Sequence, residues 1–468
     1  MTTGKTLSLS GEKVTGISWN KQNKNEALPG FWRALFVLVI MLIFLPGKVQ
    51  AQDDMKVEAY DTLNIEKEPI PTTSAGEFTP GRGFDLYKSK WGSLNLSVYG
   101  LIRYTNQMEA SQSFTDHLGR VRNVDTRHDI QWHRTFVWAS GFFYTPKLRY
   151  SVSVWGLAST GQTLVFGNMH YQFHKAFRLG AGIGPNLGTR SLQGPWPYFN
   201  ATDRQMAEEA VRPGFTGGFW ITGEPLPRFN YWLFLGNNLS TLGINNTQET
   251  RDLTKSASFW WMPTTGEFGP RGGYGDFEQH QKGATRFGVS YVYARENRFN
   301  DVSNPIPSET QVRLSDGVYL FETGSLADSV TIRNANYQLA AVDLGFKYKG
   351  FHIQTEIYRR QLSRFNATGP IPEDVKEIVD KGYYVQASYS IIKKKLDIYG
   401  AYSTLIDQFD RNPWEVAGGL SLFPSGTRAW RINMHIIRIE KSPAGSTFGY
   451  YTAGQSGTTF TLATDILL

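Results

Sequence analysis

From Leu94 onward, apolar and polar side chains alternate along stretches of roughly ten residues, broken by polar, Gly- or Pro-bearing segments. Period two marks a β-strand whose two faces meet different surroundings. Leu94, Leu96, Val98, Ile102 and Tyr104 fall on one face, with Asn95, Ser97, Tyr99, Arg103 and Thr105 on the other. Leu148, Tyr150, Val152 and Val154 oppose Arg149, Ser151 and Ser153. Phe229, Tyr231, Leu233 and Leu235 oppose Arg228, Asn230 and Trp232. The pattern returns with Val342, Leu344, Phe346 and Tyr348 against Asp343, Gly345 and Lys347, and with Trp430, Ile432, Met434 and Ile436 against Arg431, Asn433 and His435. It runs on to Phe460, Leu462, Ile466 and Leu468, against Thr459, Thr461 and Asp465.

A soluble antiparallel sandwich alternates as well. Two details favour a barrel in a membrane. The polar face carries Arg, Lys, Glu and His in mid-strand, as an aqueous lumen permits, and the apolar face runs to the last residue given. The 417 residues that follow position 51 (468 − 51) give about 16 strands at roughly 26 residues per strand and loop, near the size that leaves a channel. The expected fold is therefore all-β, a transmembrane antiparallel β-barrel of about 16 strands over 93–468, with a short helix in one long loop.

That loop lies between Gly184 and Gly214, where alternation stops. Thr202-Asp203-Arg204-Gln205 has the form of a capping box and Pro213 is a stop, so a helix is expected over Asp203–Val211. A loop of this length is usually functional or disordered, and Trp196, Pro195, Pro197 and Phe199 argue for packing. It either folds into the barrel and narrows it or turns outward, and the sequence leaves both open. Ile391–Leu396 reads as a tight turn, whereas Asn297–Glu309 and Arg364–Lys381 read as long loops.

Composition agrees with a barrel. Aromatics are 14% of the chain, charged residues 19%, and there are 47 Gly. Rings of that abundance suit the girdles at the two membrane interfaces and exclude a disordered chain. A mean hydropathy of −0.35 excludes a helical membrane bundle. With no Cys there is no thiol chemistry. The formal charge of +7 is concentrated at the start: residues 1–51 hold six Lys/Arg and two Asp/Glu, which leaves 42 − 39 = +3 beyond them. Arg33, the apolar run Ala34–Leu45 and the cleavage-like Val49-Gln50-Ala51 have the order of a secretory signal peptide, expected over 1–51. The run is short of the about 20 residues that span a bilayer; an uncleaved anchor is the other reading. Residues 52–92 read as a periplasmic lead-in, rich in Asp, Glu, Pro and Thr.

Several segments resemble the porin O and P family of phosphate-selective porins, and more closely its relatives in Bacteroidota-type bacteria. They are His133-Arg134-Thr135, VFGNMHYQFHKAFRLGAGIGPNLGTR (165–190), RPGFTGGFWITGE (212–224), YVQASY followed by KLDIYGAYS, and Arg431-x-Asn433. The resemblance implies a 16-stranded barrel, often trimeric, that passes anions along basic lumen residues. The cluster of lumen arginines behind phosphate selectivity is not matched residue by residue here. Many such barrels also end in an aromatic, where this chain has Leu468. What carries over is diffusion of small anionic or polar solutes in general.

His170 and His174 lie about 13 Å apart along a strand, too far to share an ion bound at about 2 Å, so they read as lumen histidines. No G-x-S-x-G, H-E-x-x-H or P-loop motif occurs. No catalytic residue, metal or cofactor is expected. Lys393-Lys394-Lys395 reads as a solvated turn, and no nucleic-acid partner is expected.

The expected protein is an outer-membrane porin of bacteria, a passive diffusion channel with weak to moderate anion preference. Its partners are outer-membrane lipid and small anionic solutes, and further copies in a homotrimer or larger membrane complex. Arg103, Arg149, Arg228, Arg286, Lys347 and Arg431 should line the pore or its rims, joined by Arg190 and Arg204 from the loop. A charge on the lipid face would cost roughly 2–4 kcal/mol, which drives these cations inward. The alternatives are a partner-binding barrel with a plugged lumen and, further off, a barrel hydrolase.

Overall fold

The computed structural model describes residues 79–109, 111–157, 162–239, 252–297, 312–445 and 449–468. The expected signal peptide, the lead-in up to position 78 and the expected loop beyond Asn297 lie outside the described residues.

Alternation of β-branched and aromatic residues with small polar ones produces the strands β1 (Phe84–Ser89), β2 (Gly92–Gln107), β3 (Gln112–Thr115), β4 (Val121–Val124), β5 (His128–Phe143), β6 (Thr145–Leu157), β7 (Gln162–His174), β8 (Phe177–Pro185), β9 (Phe215–Leu226) and β10 (Phe229–Gly236). They continue as β11 (Thr254–Trp261), β12 (Ala284–Asn297), β13 (Ile332–Tyr348), β14 (Phe351–Ala367), β15 (Glu377–Ile392), β16 (Leu396–Ile406), β17 (Trp414–Leu422), β18 (Trp430–Glu440) and β19 (Gly457–Leu467). Among the described residues, sixteen strands form one closed antiparallel ladder from β2 through β5 to β19. The ring closes where β19 returns to β2, with Leu467 opposite Tyr99 and Thr459 opposite Gln107. Below the end of β19, the hairpin partner β1 takes the vacant edge of β2, pairing with Gly92–Leu96. Strands β3 and β4 make a separate hairpin.

The wall has the polarity of a membrane protein. Val289, Leu344, Ile357, Ile398 and Met434 point outward and are exposed, while their neighbours Ser290, Asp343, Glu356, Tyr399 and Asn433 are buried inside. An apolar exterior around a polar interior is stable only with lipid outside, and ring closure leaves no unpaired edge in that lipid. The chain is a transmembrane β-barrel of the outer-membrane type.

Tight turns gather at one end, each using a left-handed residue: Tyr144 (φ 63°), Arg228 (φ 69°), Lys349 (φ 47°) with Gly350 (φ 89°), and Lys394 (φ 60°). Leu468 lies at this turn end as well, next to Val98. The opposite, loop end carries 186–214, 441–445 and 449–456. One connection breaks the rule: 262–283, between β11 and β12, is long yet belongs to the turn end. The long loop expected at Arg364–Lys381 is shorter than the sequence suggested. Pairing of Ile332 with Ala367 and of Glu377 with Ser363 carries β14 and β15 past the polar residues that had read as loop, and only 368–376 connect them.

Candidate functional site: the occupied lumen

The segment between β8 and β9 folds into the barrel. Leu187, Leu192, Trp196, Phe199, Met206, Ala207 and Val211 are all nearly inaccessible. Its apolar content explains why: these side chains would otherwise sit in water, and inside they meet rings from the wall. Trp196 lies 4.6 Å from the Tyr99 ring and 5.1 Å from Phe136, with Trp138 at 6.3 Å.

The helix in this segment, α1, spans Met206–Val211 rather than starting at Asp203, and the expected capping box does not form. Its members are engaged elsewhere. The Thr202 N–H and hydroxyl meet Tyr450 Oη at 2.8 and 2.7 Å, and Asp203 faces arginines. The wall supplies the cap instead: Glu415 Oε1 accepts from Met206 N at 2.8 Å, and Ser403 Oγ accepts from Ala207 N at 3.2 Å.

Six of the eight expected cations lie deep inside. Arg103 Nη1 lies 3.7 Å from Asp203, Arg134 Nη2 2.8 Å and Arg204 Nη1 3.6 Å, so one carboxylate faces three guanidinium groups. Asp343 is shared in the same way by Arg286 at 2.8 Å and Arg190 at 3.5 Å. Arg190 also sends its backbone N–H to Glu356 Oε1 at 2.8 Å and stacks 4.6 Å from the Tyr274 ring. Arg431 grips Asp465 with both forks, at 2.8 and 2.9 Å, and donates to the carbonyls of Phe199 and Ala201 in the inserted segment. Lys347 donates to the carbonyls of Phe268 (2.8 Å) and Gly273 (2.5 Å).

The other two cations lie elsewhere. Arg149 is on the inward face of β6 at the turn end, half-buried, with Nε 3.3 Å from Pro146 O. Arg228 occupies a turn and is exposed; the turn's need for a left-handed residue ends β9 and β10 around it. Of the two histidines, His170 is buried on the inward face. His174 is exposed at the turn end, where Nδ1 accepts from Ala176 N at 3.2 Å, so it is not a lumen residue. Among the described residues no three His, Asp or Glu side chains converge as a metal site.

Sequence reasoning missed a second lumen element. Connection 262–283 buries Phe268, Tyr274 and Phe277, and cations hold it from several sides. Arg190 donates to Gly272 O, Arg271 to Trp196 O at 3.0 Å, and Arg428 to Tyr274 O at 2.8 Å. Arg428 further stacks on Tyr198 and Phe277, at 5.1 and 5.0 Å. The available signal was the recurrence of rings within a Gly-rich stretch, GEFGPRGGYGDF. Within this connection His280 bridges Asp276 (2.5 Å) and Glu267 (2.7 Å). Hydrogen bonds from its ring to Asp276 and then Glu267 push its pKa up to about 9. Burial works against ionisation of Asp276, yet the His280 and Gly350 donors hold that carboxyl below its usual range. Deep burial lowers the Arg204 guanidinium to about 10.

No protein-family model and no curated protein matches the chain. Solved structures do. OmpT of Vibrio cholerae is 11% identical over 82% of this chain and 99% of its own, with a TM-score of 0.48. The outer membrane channel DcaP of Acinetobacter baumannii is 10% identical over 82% and 99%, with a TM-score of 0.46. An anion-selective porin from Comamonas acidovorans is 10% identical over 81% and 100%, with a TM-score of 0.44. Likenesses of this degree carry no weight for function, and the fold stands on the closed strand ladder alone.

Proposed function

We propose that this barrel is a porin-type channel that admits small anionic or polar solutes, with its passage narrowed by the inserted segment 186–214. The observation that carries the reading is the uneven sharing of carboxylates among inward cations. Three guanidinium groups share Asp203 and two share Asp343. Lys347, Arg271 and Arg428 are held by carbonyls and ring faces. Cations enclosed by low-dielectric walls focus a field that draws anions. Buried acids in the same lumen, Glu208, Glu356 and Glu415 among them, limit that field and keep the preference weak to moderate.

The plugged, partner-binding barrel is the second reading. It is favoured by the near-complete burial of Arg103, Arg190 and Lys347 under the two inserted segments. Planar-bilayer recording of the purified chain separates the two. A channel gives discrete conductance steps and, across a salt gradient, a reversal potential of anion sign that shrinks in Arg190→Glu or Arg204→Glu. Correctly folded protein that leaves the bilayer silent favours the plug, and a reversal potential of cation sign rejects the proposed lining.

A further inference from the structure

One stretch of the wall carries two charge pairs of opposite character. Strands β14 and β15 place Arg360 opposite Asp380 and, one residue along, Arg359 opposite Lys381. Arg360 and Asp380 face the lumen and form a buried ion pair at 2.6 Å. Since successive side chains alternate faces, Arg359 and Lys381 face outward, and both are exposed. Residues directly opposite hold their Cβ atoms about 4.5–5.5 Å apart, and like charges there repel.

Among the described residues, nothing next to them on the outer wall relieves that repulsion. Across the ladder, Arg359 has Ala340 on its other side and Lys381 has Ile406. Along the strands the outward neighbours are Ile357 and Gln361 for Arg359, and Val379 and Tyr383 for Lys381. Gln361 Oε1 accepts from Arg359 Nη1 at 2.9 Å, but an amide cancels no charge. Among the described residues neither cation forms an ion pair. Glu377, the nearest outward acid along β15, is four residues on, about 13 Å toward the loop end.

Height on the wall says what anion can reach them. From Phe351, the outward face of β14 runs through Ile353, Thr355 and Ile357 before reaching Arg359. Eight residues of tilted strand rise about 20 Å, so the pair stands near the upper limit of an apolar band about 25 Å tall. Beside it the Tyr383 and Tyr402 rings, 6.0 Å apart, are of the type that settles at headgroup level.

We propose that Arg359 and Lys381 form a binding site for the phosphate of an anionic lipid headgroup in the leaflet at the loop end. A guanidinium fork beside an ammonium matches phosphate oxygens in geometry and charge. The site lies on the lipid side of the wall, so the anion offered to it is a headgroup and not a solute in the lumen.

The test uses the full chain folded into phosphatidylcholine vesicles doped with phosphatidylglycerol. Detergent extraction and native mass spectrometry then count the anionic lipids retained. Each cation near an anionic surface contributes roughly a fivefold preference, so the Arg359→Gln/Lys381→Gln double variant should lose retention by tenfold or more. Lys255→Gln, which removes a lone outward cation on β11, should leave retention unchanged. Millimolar inorganic phosphate should not displace the lipid. Equal retention by the double variant, or displacement by inorganic phosphate, overturns the proposal. Should the double variant fail to fold, the two single variants are read by the same criterion.

Discussion

Glu415 on β17 accepts the N–H of Met206 at 2.8 Å, across 209 positions of sequence, so the barrel wall caps a helix in its own lumen. The same carboxylate accepts from Ser403 Oγ at 2.9 Å and Tyr451 Oη at 2.7 Å. The first turn of α1 therefore depends on a strand and not on its own N-terminal residues. Replacing Glu415 with Ala leaves Met206 N and Ser403 Oγ buried without an acceptor, each costing about 1–3 kcal/mol, while Tyr451 Oη keeps the Arg204 carbonyl at 3.1 Å. The expected outcome is faster amide exchange at Met206 and Ala207 with the strands still protected. Exchange unchanged at those amides would show that the wall does not hold the helix.

Arg431 joins the wall to the inserted segment through Asp465 on one side and the carbonyls of Phe199 and Ala201 on the other. Arg431→Met should destabilise the barrel by about 3–5 kcal/mol, because Asp465 stays buried without its counter-charge. Adding Asp465→Asn should restore part of that loss. Urea titration in lipid vesicles, followed by tryptophan fluorescence, gives both values.

The clasp of His280 on Asp276 and Glu267 makes the turn-end connection sensitive to pH. The folded pKa of His280, about 9, lies above its ordinary 6.5. Its stabilising contribution is therefore complete below 6.5, fades above it and is lost as the pH rises through 9. Asp276 and Glu267 are shifted downward from 3.8 and 4.5, so their contribution is present above those values and is lost on acidification. Proteolysis of 262–283 should accelerate between pH 7 and 10 in the native protein. His280→Ala should be cleaved readily at every pH and lose the dependence.

Leu344 is outward on β13, between Asp343 and Gly345 on the inner face. Leu344→Arg should cost about 2–4 kcal/mol in lipid, read as a lower urea midpoint in vesicles. A change below 0.5 kcal/mol would mean that this part of the wall does not contact hydrocarbon.

The strands were legible because period two survives wherever one face meets lipid and the other a polar interior. Leu344 and Lys347 could be assigned to opposite faces from parity alone. Parity ceases to assign a face at Arg228, where the strand gives way to a turn. The helix start was misread because Thr202 and Asp203 are engaged by Tyr450 and by Arg103 and Arg134, residues far away in sequence. Connection 262–283 has neither a period nor a familiar motif. Its fold is imposed by cations reaching it from other elements, Lys347 and Arg428 among them, and no local reading of the chain contains them.

The seam between β2 and β19 fixes an order of events. Tyr99 must find Leu467, and Gln107 must find Thr459, across more than 350 intervening positions. As the barrel assembles, β2 can gain β5 and β1 from nearby sequence, but the rest of its other edge stays open until β19 joins it. A growing sheet with one free edge is a template for pairing with foreign strands. Contacts of such long range also form slowly, since much loop entropy is lost before they repay it. The lumen is locked at the same late moment, because Arg103 and Gln107 reach the carbonyls of Gly449 and Tyr450 only once that edge has been met. Until β19 arrives, the open edge of β2 is therefore the part of the assembling barrel most exposed to wrong pairing.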